Sequence, residues 1–125
     1  MGANARLIQE AYSAFGRGDI PGVLEKLADD VEWSSPTTLP QGGRFDGKAA
    51  VVTFFEGVGA AWDPLVLAVE SVGELGAELV VGVVRADGTR RGGGPSGYGA
   101  VHVFTVRDGK ITRFREYTDL DTPLD

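Results

Sequence analysis

Apolar residues recur at helical spacing close to the start of the chain. We expect a first helix that is capped by Asn4 and ended by Gly16 and Gly18, because asparagine favours the N-cap and glycine disfavours the helix interior. Its apolar face is formed by Leu7, Ile8, Ala11, Tyr12 and Phe15. The pattern therefore predicts an amphipathic helix that turns one face toward a core.

Two further helices are predicted in the first half of the chain. Asp19 caps the second helix and Pro21 occupies its first turn, while Val23, Leu24 and Leu27 face inward. The third helix covers about residues 48–58, with an apolar stripe of Val51, Phe54, Phe55 and Val58. A short strand at residues 31–33 and a loop at residues 34–47, rich in proline and glycine, separate these two helices.

The second half of the chain reads as strands. Residues 65–72, 79–86, 98–106 and 111–118 are rich in β-branched and aromatic side chains. Asp87-Gly88 and Asp108-Gly109 have the composition of hairpin turns, and the glycine-rich residues 92–99 are expected to be flexible. The predicted order is ααβαββββ, an α+β fold in which three N-terminal helices pack on a curved antiparallel or mixed sheet.

Length and composition reduce the number of functional classes that the protein can belong to. The 125 residues fit one domain, expected over residues 1–125. A net charge of −6 argues against nucleic-acid binding, and we interpret Arg90-Arg91 before the glycines as a solvated turn. No segment has the length of a membrane span and no secretory signal is recognisable, so we expect a cytoplasmic protein that does not bind membranes. We expect neither metal nor cofactor, since cysteine is absent and one histidine with scattered carboxylates makes no ligand set.

Aromatic and polar side chains together predict an apolar pocket between the helices and the sheet. Its wall is expected to comprise Phe15, Trp33, Phe54, Phe55, Phe104 and Phe114, with Ser35 at the mouth. If residues 107–109 form a three-residue turn, His102 opposes Phe114, and Glu116 shares their face because side chains alternate along a strand. A two-residue turn would instead place Arg115 opposite His102. Any one ring could equally be ordinary core.

The sequence resembles the nuclear-transport-factor-2-like superfamily and, within it, the SnoaL-like group. The matching segments are AYSAFGRGD at residues 11–19, LADDVEWSSP at 27–36, LPQGGRFDGKAAVVTFF at 39–55 and HVFTVRDGKITRFREYTD at 102–119. The resemblance implies a cone-shaped fold around a pocket for a small hydrophobic ligand, and a homodimer formed through the outer face of the sheet. It specifies fold more than function, since this fold supports many activities.

Comparison with activities known for this superfamily leaves one pattern of residues. Tyr12 resembles the oxyanion-hole tyrosine of ketosteroid isomerases, but their general-base aspartate falls at Ser35 and their protonated aspartate near His102. Glu116 resembles one aspartate of limonene-type epoxide hydrolases, whose other two groups fall at Val84 and Ala86. The carboxylate and histidine of SnoaL-like cyclases are matched by His102 with Glu116 or Asp119.

These comparisons leave two hypotheses open. The first is a cofactor-free acid/base enzyme, of cyclase, isomerase or dehydratase type, in which His102, Glu116, Asp119 and Tyr12 act on a small oxygenated molecule. Asp119 reaches the pocket only if a bulge near Thr118 turns it inward, because it otherwise lies on the opposite face from Glu116. The second hypothesis is a protein of the same fold that binds such a ligand without turnover.

Overall fold

The computed structural model describes residues 2–118. The helices are α1 (Ala3–Gly16), α2 (Ile20–Leu24) and α3 (Lys48–Ala61), and the strands are β1 (Leu27–Ser35), β2 (Gly43–Asp46), β3 (Trp62–Leu75), β4 (Leu79–Arg90), β5 (Pro95–Arg107) and β6 (Lys110–Thr118). The α+β class is confirmed. The helices do not form one N-terminal block, however, because β1 and β2 lie between α2 and α3.

The strands form one curved, mixed sheet in the order β2-β1-β6-β5-β4-β3. All neighbours are antiparallel except β1 and β6, which run parallel. This pairing brings the N-terminal strand β1 beside the C-terminal strand β6. Helix α1 packs against β3 and β4, and α3 packs against β1, β2 and β3. None of the helices within residues 2–118 is long and apolar enough to cross a membrane.

The helix ends differ in part from the prediction. Helix α1 begins at Ala3 with Gly2 as its N-cap, because the Asn4 side chain donates to the carbonyl oxygen of Ala77 at 3.1 Å instead of capping the helix. The Asp19 cap of α2 is confirmed, since its carboxylate accepts the backbone N–H of Gly22 at 3.0 Å. Helix α3 extends to Ala61, three residues beyond the predicted end at residue 58.

Three segments that were predicted to be irregular contain strand residues. The predicted loop at residues 34–47 contains β2, which pairs with β1. Asp87-Gly88 is not a turn, because β4 continues to Arg90 and the hairpin closes at residues 91–94. Gly88 has a packing role there: a Cβ atom at this position would lie 3.0 Å from the Trp62 ring and still closer to the carbonyl oxygen of Pro64. The predicted flexible residues 95–99 belong to β5.

The last hairpin has a register that neither sequence alternative gave. Asp108 and Gly109 form a two-residue turn with φ angles of 51° and 75°, which suits a type I′ hairpin. A bulge at Thr112 then shifts the pairing by one residue, so that His102 opposes Glu116 and Phe104 opposes Phe114. The prediction of His102 opposite Phe114 was therefore wrong. The prediction that these side chains share one face is confirmed.

Two clusters of buried side chains form the core between the helices and the inner face of the sheet. The larger comprises Ile8, Leu27, Val31, Trp33, Val51, Phe54, Val80, Phe104, Val106, Ile111 and Phe114. The smaller comprises Leu39, Trp62, Val84, Ala86, Tyr98 and Ala100. The partly buried Tyr12 packs against both clusters. Tyr12 therefore lies where the two halves of the core meet.

Candidate functional site

A cavity of about 80 Å³ lies between α1, α3 and the sheet. Half of the sixteen residues that line it are phenylalanine, tyrosine or tryptophan: Ala11, Tyr12, Phe15, Val23, Trp33, Gln41, Phe54, Phe55, Val58, Leu65, Leu67, Tyr98, His102, Phe104, Phe114 and Glu116. All of the site residues proposed from the sequence line it except two. Ser35 is buried just behind the wall, and Asp119 lies outside the described residues.

The apolar wall is built from rings that contact one another. The indole of Trp33 stacks on Phe114 with centroids 4.0 Å apart and an interplanar angle of 26°. Phe104 lies 5.1 Å from Phe114, and Phe54 lies 5.3 Å from Phe55. The two longer spacings are typical of favourable aromatic pairs and the stacked Trp33–Phe114 pair is closer still, so the rings support one another as a wall.

Four polar side chains form a continuous hydrogen-bonded chain beside this wall. The Tyr12 hydroxyl lies 2.8 Å from Nδ1 of His102, and Nε2 of His102 lies 2.9 Å from Oε2 of Glu116. The hydroxyl of Ser35 donates to Oε1 of Glu116. Helix α1 supplies Tyr12, while the adjacent strands β5, β6 and β1 supply His102, Glu116 and Ser35. The side chains of His102 and Glu116 are only 6% and 7% exposed.

The chemistry of these four groups determines which atom donates in each of the hydrogen bonds. A Glu116 carboxylate can only accept, so the Ser35 hydroxyl and the Nε2–H of His102 both donate to it. Neutral His102 then has an unprotonated Nδ1, which accepts the hydroxyl proton of Tyr12. We assign this tautomer because it gives each donor an acceptor. Protons can therefore pass along the chain between Tyr12 and His102.

The pKa of Tyr12 is raised well above its usual value. Burial is the larger cause, and the negative charge of Glu116 is the second. Tyr12 therefore stays protonated over the physiological range. It is suited to give and accept protons in step with His102, and it is not suited to persist as a tyrosinate.

The Tyr12 hydroxyl is accommodated by a glycine on the sheet. Gly82 on β4 pairs with His102 on β5, directly beneath the Tyr12 ring. A Cβ atom at position 82 would lie 3.1 Å from Cζ and 3.2 Å from Cε2 of Tyr12, and nearer still to its hydroxyl oxygen. Any side chain at this position would thus displace the hydroxyl from His102.

Two polar residues of the cavity wall, Tyr98 and Gln41, were not predicted from the sequence. Burial raises the pKa of Tyr98 to about 12, and the charge of Glu116 contributes, while a hydrogen bond with Gln41 lowers it. Tyr98 could have been found, because it lies four residues before His102 on the same face of a strand. Gln41 lies in a loop, where no periodic signal points to it.

The two tryptophans of the chain differ in their hydrogen bonds. The Trp62 indole N–H donates to Oε1 of Gln41 at 3.0 Å. The Trp33 indole N–H is buried and has no hydrogen-bond partner within residues 2–118. Buried indoles usually find an acceptor, so Trp33 carries an unused donor in the cavity wall. In the described part of the chain, no group of three or more histidine, aspartate or glutamate residues could hold a metal ion.

Solved structures with the same fold define the class of this protein. A nuclear-transport-factor-2-like protein of unknown function from Burkholderia pseudomallei matches with a TM-score of 0.87 and 30% identity, over 95% of this chain and 92% of that one. TerC, co-crystallised with polyporic acid, matches with a TM-score of 0.85 and 30% identity, over 95% of this chain and 93% of that one. A Mycobacterium tuberculosis protein in complex with estradiol-17beta-hemisuccinate matches with 0.81 and 26%, over 97% of each chain. The fold is therefore nuclear-transport-factor-2-like.

The family can be stated more narrowly. The SnoaL-like domain matches residues 8–114, and the chain belongs to this family. A comparison with curated proteins found no match. The resemblance of fold and family suggested by the sequence is thus confirmed.

Proposed function

We propose that this protein is a cofactor-free acid/base enzyme that moves protons on a small hydrophobic, oxygenated molecule, as cyclases, isomerases and dehydratases do. One observation carries the proposal: the hydrogen-bonded chain from Ser35 through Glu116 and His102 to Tyr12 runs alongside an aromatic cavity. Such a carboxylate–histidine–hydroxyl arrangement lets one hydroxyl take up and return protons. Tyr12 is the group that we expect to contact the reacting atom.

We call the hydrogen-bonded chain of Ser35, Glu116, His102 and Tyr12 the relay. While the Tyr12 proton is donated to Nδ1 of His102, a lone pair of its oxygen is available to a ligand. When Tyr12 accepts a proton from an O–H or acidic C–H bond, its own proton passes to Nδ1, and Glu116 balances the imidazolium charge. The raised pKa of Tyr12 disfavours a free tyrosinate, so the two transfers are concerted. Return of the proton to another atom of the ligand gives an isomer and restores the protein.

Two structural relatives support the class of ligand. TerC was co-crystallised with polyporic acid, and the M. tuberculosis protein was crystallised with estradiol-17beta-hemisuccinate. Both compounds combine rings with oxygen functions. A cavity lined by eight aromatic side chains and one hydrogen-bonded polar chain suits compounds of that kind.

The proposal is tested with 2-tetralone, a fused-ring ketone with acidic protons beside its carbonyl group. Exchange of these protons in D₂O is followed by NMR, with binding measured separately by tryptophan fluorescence. The wild type is expected to exchange them about 10²- to 10⁴-fold faster than Tyr12→Phe or His102→Gln, the usual contribution of general acid/base catalysis. Tyr117→Phe is the matched control, because it removes a tyrosine hydroxyl on the opposite face of the sheet and keeps the apolar ring.

A ligand-binding protein without turnover is the second candidate. It is favoured by the fact that both ring nitrogens of His102 and both carboxylate oxygens of Glu116 already have protein partners. A static network of this kind could simply stabilise the wall of a binding site. If 2-tetralone binds but the wild type exchanges its protons no faster than Tyr12→Phe does, the enzyme proposal fails and this alternative stands.

We also propose that two copies associate through the outer face of the sheet. Val83, Val101 and Tyr117 form a row across β4, β5 and β6 on that face. Val101 and Tyr117 are 38% and 50% exposed, and Val66 on β3 is 58% exposed. An exposed apolar row of this kind is typical of a protein interface.

A further inference from the structure

A second polar group lines the cavity apart from the relay. It consists of Trp62, Gln41 and Tyr98, which are 4%, 5% and 3% exposed. Gln41 and Tyr98 both line the cavity, and Trp62 lies behind them at the start of β3. None of the three hydrogen-bonds a member of the relay, so the proposed proton transfer does not account for them.

Trp62 fixes the orientation of the Gln41 amide. An indole N–H can only donate, so the Gln41 atom that it meets at 3.0 Å is the carbonyl oxygen Oε1. The amide nitrogen of Gln41 then points the other way. A hydrogen bond with Gln41 lowers the pKa of Tyr98, which is the effect of an amide N–H that donates to the phenol oxygen.

The Tyr98 hydroxyl therefore keeps its own proton for another acceptor. Tyr98 lines the cavity at 3% exposure, and no hydrogen bond within residues 2–118 gives its hydroxyl proton an acceptor. A buried hydroxyl proton without an acceptor is unfavourable. A molecule bound in the cavity would supply the acceptor. Trp62, Gln41 and Tyr98 thus form a directed chain that ends on the cavity, as the relay does at Tyr12.

We infer that Tyr98 is a second ligand-binding donor and that the ligand carries two oxygen functions, one at Tyr12 and one at Tyr98. This inference rests on the proposed function for the first oxygen only. Tyr98 and His102 are four residues apart on β5, so their Cα atoms lie roughly 13 Å apart along the strand. The ligand class is a fused-ring ketone with a further hydroxyl or carbonyl oxygen at the far end of the ring system.

The test compares 2-tetralone with 6-hydroxy-2-tetralone, which adds an oxygen at the opposite end of the same ring system. Dissociation constants are measured for the wild type, Tyr98→Phe, Trp62→Phe and Tyr12→Phe. The wild type is expected to prefer the hydroxy compound about tenfold, as one neutral hydrogen bond provides. Tyr98→Phe should abolish that preference, because it should weaken binding of the hydroxy compound about tenfold more than binding of 2-tetralone. Trp62→Phe should reduce the preference, because it releases the Gln41 amide.

The other outcomes are equally decisive. Tyr12→Phe should weaken both compounds by a similar factor and keep their ratio. An unchanged ratio in a folded Tyr98→Phe variant, or an equal loss for both compounds, would overturn the second donor. A wild type that binds neither compound would overturn the ligand class. Because binding needs no turnover, a preserved tenfold ratio without proton exchange would defeat the enzyme proposal and leave this inference standing.

Discussion

Replacement of Gly82 by alanine should uncouple Tyr12 from His102 with a single methyl group. The added Cβ would lie 3.1 Å from Cζ and 3.2 Å from Cε2 of Tyr12, with the hydroxyl oxygen nearer still. Ordinary contacts between carbon and other heavy atoms are about 3.5–4.0 Å, so the hydroxyl has to move by roughly 1 Å. That movement is enough to lengthen the 2.8 Å bond to Nδ1 of His102 beyond the usual limit of about 3.2 Å.

The expected cost follows from two contributions. Overpacking of a tight site costs about 1–3 kcal/mol. Loss of the Tyr12–His102 bond leaves a buried polar group unsatisfied, which costs about 1–3 kcal/mol more. We therefore expect Gly82→Ala to lower the free energy of unfolding by about 2–6 kcal/mol if the two add. In Tyr12→Phe the oxygen is gone and only the contacts of 3.1 Å to Cζ and 3.2 Å to Cε2 remain, so the same substitution should cost less there.

Two measurements separate this effect from a general loss of stability. His102 is the only histidine, so one pair of imidazole ¹⁵N signals reports its tautomer and hydrogen bonds without assignment. Gly82→Ala should shift the Nδ1 signal, and urea unfolding should give the energy. Gly73→Ala is the matched control, because Gly73 also lies in a strand and an added Cβ would meet nothing within 4 Å. An unchanged Nδ1 signal, or an equal cost in the Tyr12→Phe background, would refute the reasoning.

Three further predictions concern other parts of the molecule. The pKa of Tyr98 rises from 10.0 to about 12 on folding. The contribution of protonated Tyr98 to the free energy of unfolding is therefore fully present below pH 10 and is lost as the pH rises to 12. Tyr98→Phe should remove this part of the alkaline decline, up to about 1.4 kcal/mol per pH unit, in urea unfolding at several pH values. Val101→Glu should convert a homodimer to monomers in analytical ultracentrifugation, whereas Glu74→Gln, remote on β3, should not. Ser35→Ala removes a donor to buried Glu116 and should cost about 1.5–3 kcal/mol in unfolding, with Ser35→Thr recovering most of it.

The sequence patterns identified most elements because each depends on local periodicity. The helical spacing around Ile8 and the alternation along β5 follow from which face is buried, and both are confirmed. Strand β2 could not be found in the same way, because its four residues alternate between intermediate and exposed positions. Its partner is set by contact with β1, which is a property of the folded chain.

The candidate site shows the same division between local and long-range information. His102 and Phe104 were placed on one face from alternation along the strand, and Phe114 was added to that face by assuming a three-residue turn. The hydrogen bonds of Ser35 with Glu116 and of Tyr12 with His102 span 81 and 90 residues of sequence. Such pairs depend on the parallel pairing of β1 with β6 and on the packing of α1, which no local pattern specifies.

A bulge in the last hairpin determines which charged side chain lies opposite His102 in the cavity wall. Arg107 pairs with Lys110 across a two-residue turn, and a regular ladder from that point would place Arg115 opposite His102. The extra residue Thr112, whose hydroxyl donates to the carbonyl oxygen of Thr105 at 3.3 Å, advances β6 by one position. The bulge therefore exchanges a cation for a carboxylate beside the only histidine.

The parallel pairing of β6 with β1 brings a further partner to Glu116. Arg115 pairs with Ser34, so that Glu116, the next residue along β6, meets the hydroxyl of Ser35, the next residue along β1. Without the bulge, the residue facing His102 would be a guanidinium, which can only donate and could not hold an imidazolium. A change of one residue in strand register thus decides whether a carboxylate can complete the hydrogen-bonded chain from Ser35 to Tyr12.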